Sequence, residues 1–125
     1  MSPYQVELDA IADLRVAVLL ADAMSLALLP RLHGAAPAPA RPEGGAGRTG
    51  YVLNQIDQRR QLCRDVLALS EDVLGDQLFG TVHRDEAVAE AVACQLAVLD
   101  YAPDSIASHD MIAVARRLDG SLRTV

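Results

Sequence analysis

The chain has 125 residues, 51% of them apolar and 22% charged, with a formal net charge of −6 and a pI near 4.8, which describes one small soluble domain with a single core. All 11 basic residues are Arg and none is Lys, so the chemistry of a P-loop lysine, a Schiff-base lysine or a Ser-Lys dyad is excluded. The acidic balance, the scattered arginines and a supply of only three Tyr and one Phe argue against a nucleic-acid surface, which needs a positive face and stacking rings.

The segment Arg15 to Ala21 is a continuous apolar run after its leading Arg, the pattern of a strand buried on both faces in a parallel sheet. Asp22 to Leu32 reads as a helix with Leu26, Leu29 and Leu32 as its stripe, ended or kinked by Pro30. From Gly34 to Gly50 the chain holds five Gly and three Pro and no large apolar residue, and is expected to be a mobile, protease-sensitive surface loop. Order resumes with a strand over 51–56. A helix follows from Asp57 or Gln58 to Leu74, carrying Leu62, Val66, Leu69 and Val73, with Gly75 as its stop. Gln77 to Val82 reads as a third strand. Asp85 is placed to cap a helix reaching Cys94 with Val88, Ala91 and Val92 inward. Val98 to Pro103 reads as extended. Ser105 or Ser108 then opens a last helix bearing Ile106, Met111, Ile112 and Val114, closed by Arg116 and Arg117 with Gly120 beyond.

This alternation of strands and helices is the signature of an α/β fold built on a parallel sheet. Three strands with four helices make a thin version of it, as if part of something larger. Cys63 and Cys94 are too few for a disulfide scaffold or a zinc site, and both are expected reduced in apolar surroundings, as in the cytosol. The first residues lack a signal peptide's basic and apolar regions, and the longest apolar stretch, Val16 to Ala21, is far short of the roughly 20 residues that cross a bilayer. A cytosolic protein is expected.

His83-Arg84-Asp85 spells the catalytic-loop triplet of protein kinases, but Glu86 and Glu90 stand where that motif needs Leu and a magnesium-binding Asn. A strand end followed by a helix cap explains it better. No serine sits in a Gly-x-Ser-x-Gly setting, and His33, His83 and His109 belong to no tight ligand cluster. No catalytic or metal-binding residue is therefore assigned. Asn54-Gln55 carries more information, because it ends a buried strand, where open α/β sheets bind ligands and an Asn amide can pair with an adenine edge.

Several segments together carry a resemblance: Val52-Leu-Asn-Gln-Ile-Asp57, the helix with Arg64-Asp65-Val66, Val82-His-Arg-Asp-Glu-Ala-Val-Ala-Glu-Ala91 and Leu99-Asp-Tyr-Ala-Pro-Asp-Ser105. The chain resembles the carboxyl-terminal half of the ParA/MinD-like P-loop ATPases, and within them the BcsQ (YhjQ) branch encoded in bacterial cellulose synthesis operons. The segment from Asp13 to Pro30 is similar to that family's strand and helix after switch II.

The resemblance implies a cellulose biosynthesis accessory protein of P-loop NTPase fold, truncated to one domain over 1–125. In the family, ATP and magnesium are held by the amino-terminal half, which has no counterpart in these residues, so no cofactor is expected on this chain alone and no ATP hydrolysis. What carries over is the adenine side of the pocket: Asn54 matches the base-contacting Asn, and His83 and Arg84 fall in the loop that packs on the base. The partners implied are the cellulose synthase machinery or a P-loop-containing half. Homo-oligomerisation is a further expectation, since the strand over Val16 to Leu20 would lie open. The location implied is cytoplasmic, peripheral at the inner membrane through partners. Two alternatives stand beside the accessory reading: half of a split ATPase completed in trans, and a coding region that extends upstream.

Overall fold

The computed structural model describes residues 11–34 and 48–123. Its elements in chain order are β1 (Leu14–Leu20), α1 (Ala23–Gly34), β2 (Arg48–Ile56), α2 (Gln61–Leu74), a 3-10 turn (Gly75–Gln77), β3 (Leu78–His83), α3 (Glu86–Ala93), α4 (Val98–Tyr101) and α5 (Ile106–Arg123). The strands form a parallel sheet in the order β1-β2-β3. Each crossover steps one strand in the same direction, and crossovers of one hand then put α1 and α2 on one face. On that face Leu29 of α1 and Cys63, Val66 and Leu74 of α2 close over Leu53 and Ile56 of β2. On the other, Ala107 of α5, with Met111 and Val114 partly buried beside it, covers Val52 and Val82.

The α/β class and the parallel sheet are as expected; several boundaries move for local reasons. β2 begins at Arg48, so the last three residues of the expected loop are strand, and Gly50 lies under the Phe79 ring where a Cβ would come within 2.1 Å of it. The rest of that loop, 35–47, lies outside the described residues. Asp22 is the cap of α1 rather than its first residue, its Oδ1 accepting from Ser25 N at 2.9 Å. Pro30 does not end α1, which continues to Gly34.

α2 starts at Gln61 and not at Asp57 or Gln58, because the Asp57 carboxylate bonds within its own turn. It accepts from Arg59 N at 3.1 Å and from Arg59 Nε at 2.9 Å, an Asx-turn closed by an ion pair. The stop is where expected: Gly75, at φ +51, follows α2 and its N–H reaches Glu71 O.

Two expected burials fail. Val92 is 71% exposed, since the inward stripe of α3 is Val88 and Ala91 only, and Cys94 is exposed, whereas Cys63 is buried and donates to Ala21 O at 3.4 Å. Residues 98–101 form a helical turn rather than an extended connection. Buried Ser108 explains this, its Oγ lying 2.7 Å from Ala102 O and 3.2 Å from Val98 O, so that the turn's carbonyls are satisfied from α5. α5 itself runs past Arg116, Arg117 and Gly120 to Arg123.

The sheet is covered unevenly. In register, Val18 of β1 pairs with Val52 of β2 and faces the same way, yet Val52 is 6% exposed and Val18 62%. Among the described residues α5 packs mainly on β3 and reaches Val52 of β2. Val16 and Leu20 are exposed along the same stripe, and among the described residues β1 forms an edge of the sheet.

Candidate functional site

The carboxyl ends of β2 and β3 open into a cleft of about 290 Å³ lined by Asn54, Gln55, Val82, His83, Arg84 and Met111 among others. A bulge shapes its β2 side. Leu53 pairs with Thr81 and Ile56 with His83, so three steps along β2 meet two along β3. The extra residue is absorbed where Gln55 takes φ 57, a left-handed conformation costly for a side chain other than glycine. Strain of this kind persists where the surroundings hold it, and it concentrates at sites that bind.

The β3 side is the His83-Arg84-Asp85 turn. Arg84 N donates to Ile56 O at 2.8 Å, pinning the turn to the end of β2. Asp85 caps α3, its Oδ1 accepting from Ala87 N at 3.0 Å, as its place in the sequence implies. It does more than that: Oδ2 accepts from Ala107 N at 3.1 Å, so one carboxylate caps α3 and α5 together. The Ala87 and then the Ala107 N–H hold the Asp85 carboxyl below its ordinary value of 3.8, helped by Ser105 and Ile106 and opposed by partial burial. With this cap in place, the first turn of α3 has a partner of its own and is not an anion site.

His83 is held from three directions. Asp110 Oδ2 of α5 accepts from the His83 backbone N–H at 2.9 Å and lies 2.9 Å from the ring Nδ1. The other ring nitrogen, Nε2, lies 3.1 Å from Gln58 Nε2. Both ring nitrogens are therefore engaged, and the ring meets a ligand through its face and carbon edge.

The structure brings Asn54, His83 and Arg84, the three residues singled out from the sequence, to one cleft. Asn54 stands beside an apolar floor of Val82, Val88 and Met111, and Arg84 is an exposed cation at the rim. Sequence reasoning missed Gln58 and Asp110, which act on His83 from 25 and 27 residues away. Among the described residues no group of three or more His, Cys, Asp or Glu side chains is placed to hold a metal ion. A flat ring carrying a hydrogen-bonding edge suits this cleft: Asn54 can serve the edge and His83 the ring face.

The profile of the family described as cellulose biosynthesis protein BcsQ matches residues 2–118. The chain belongs to the BcsQ family. No curated protein matches it significantly. Among solved structures, the crystal structure of a ParA family ATPase from Chlorobium tepidum TLS superposes with a TM-score of 0.62 at 23% identity, over 94% of this chain. At that identity the likeness speaks for the fold, which is that of a ParA-type P-loop NTPase. The match takes in 45% of the ATPase chain, so this chain spans a little under half its length. Among the described residues no helix is long and apolar enough to cross a membrane.

Proposed function

We propose that this BcsQ-family chain serves cellulose biosynthesis through protein interaction and does not hydrolyse ATP by itself. The observation that carries the reading is the bare half-face of the sheet. Val16, Val18 and Leu20 stand exposed on the face that α5 covers elsewhere, along a strand that is at the edge of the sheet among the described residues. A parallel sheet is stable when both faces are covered and its edges managed, so this side calls for a partner. A component of the cellulose synthase machinery at the inner membrane is the partner that the family supports.

The absence of any Lys supports the lack of turnover. Phosphoryl transfer depends on positioning and on cations around the phosphates, and this cleft offers one exposed arginine. In this reading Asn54, His83 and Arg84 form the adenine side of a nucleotide pocket whose phosphate side lies elsewhere.

A second reading rests on the same bare strand: β1 receives a P-loop half supplied in trans, and the two together bind and hydrolyse ATP. Phosphate release from ATP by the purified 125-residue chain separates the readings from simple catalysis. Background turnover is expected, and turnover above it overturns the proposal. Adding a separately produced P-loop chain tests the second reading. Magnesium-dependent ATP binding that appears only in the mixture, and weakens with Asn54→Ala, would establish it in place of the first.

A further inference from the structure

The His83 ring, which lines the cleft, joins a directional hydrogen-bond relay between Gln58 and Asp110. As placed, Gln58 Nε2 can only donate, so His83 Nε2 is the acceptor, at 3.1 Å. A neutral ring whose Nε2 accepts must carry its proton on Nδ1, and Nδ1 lies 2.9 Å from Asp110 Oδ2, a carboxylate oxygen with no proton to give. The same oxygen accepts from the His83 backbone N–H at 2.9 Å. Asp110 thus grips backbone and ring at once, from a separate element, α5.

The geometry points to Asp110 as the positioning residue of this cleft: it sets the His83 tautomer and holds the ring with both nitrogens occupied. A ring so held offers a ligand its face and carbon edge, and contributes by stacking. Hydrogen-bond selectivity then falls to Asn54, on the neighbouring strand β2. The consequence for a base rests on the adenine reading above. The role of Asp110 toward His83 does not, and the two can fail separately.

The test is two-bond ¹⁵N–¹H correlation NMR of the full-length, ¹⁵N-labelled chain, followed by titration with adenosine. In the unaltered protein His83 is expected to show a protonated Nδ1 and a bare Nε2. Gln58 is exposed and its amide can turn to present either Nε2 or Oε1 to the ring, whereas the Asp110 carboxylate can only accept. Asp110→Ala should therefore release the ring to a mixture of tautomers, and Asp110→Asn, whose amide oxygen still accepts, should restore the Nδ1–H form. A purely structural role would change thermal stability without this pattern of loss and rescue.

A protonated Nε2 with a bare Nδ1 in the unaltered protein overturns the proposal, as does an unchanged tautomer in Asp110→Ala. Should Asp110→Ala fail to fold, Gln58→Ala tests the same relay from the solvent side. Nδ1 must then stay protonated, because Asp110 remains, and a switch to Nε2–H overturns the assignment. With adenosine, Asp110→Ala should weaken binding by up to about tenfold, within the range for loss of one base-stacking contact. Adenosine that leaves the His83 and Asn54 signals of the unaltered protein unmoved refutes the adenine reading, while the tautomer result still decides the role of Asp110.

Discussion

Val18 and Val52 form a controlled pair within one sheet. They are register partners on adjacent strands, identical in side chain and facing the same way, and they differ in that α5 stands over Val52 alone. Val→Ala removes two methyl-sized carbons, each worth about 0.8 kcal/mol when fully taken from water. Scaled by exposures of 6% and 62%, the transfer loss is about 1.5 kcal/mol at Val52 and about 0.6 kcal/mol at Val18. At Val52 the cavity left under α5 adds to this, for a total of about 2–3 kcal/mol. At about 4 °C per kcal/mol for a domain of this size, Val52→Ala should lower Tm by roughly 8–12 °C and Val18→Ala by about 2 °C. Thermal and urea unfolding followed by circular dichroism measures both. Equal losses would mean that the β1 face is already covered in the isolated chain, and the argument for a docked partner would fail with it.

Two further outcomes follow from the capping geometry. The Asp85 carboxyl is held below 3.8 in the folded state by N–H groups of two helices, so its contribution is complete above the unfolded pKa and is lost as the pH falls through the folded one. Melting temperatures measured between about pH 5 and pH 2 should therefore fall less steeply in Asp85→Asn than in the unaltered chain; parallel slopes would refute the double cap. At the end of α3, Gln95 takes φ 57 while Gln95 N and Leu96 N close on Val92 O and Ala91 O, the Schellman arrangement that glycine fills without strain. Gln95→Gly should raise stability by up to about 1 kcal/mol in urea unfolding, and a loss there would show that the side chain carries a contact worth more than the strain.

Much of the site was legible because its chemistry is local. Asp85 precedes a run of alanines and valines at helical spacing and had to be a cap; Asn54 ends an apolar strand and had to face the end of the sheet; Gly75 follows the last residue of a periodic stripe and took the positive φ. The misreadings were local signals overruled by distant partners. Residues 98–101 lack a helix signature and turn where Ser108 of α5 bonds the carbonyls of Val98 and of the following Ala102, and Val92 keeps the helical spacing of its neighbours but is 71% exposed.

By itself, then, the sequence determined the α/β class, the parallel strands and the family, because hydrophobic period, turn chemistry and motif act within a few residues. Tertiary structure alone decided what the residues of the cleft can do. The occupation of both His83 nitrogens by Gln58 and Asp110, the second helix capped by Asp85, and the bare half of the sheet beside α5 all join residues 22 or more positions apart. No pattern along the chain encodes such a meeting: it arises from the packing of α5 on β2 and β3 and from its absence over β1.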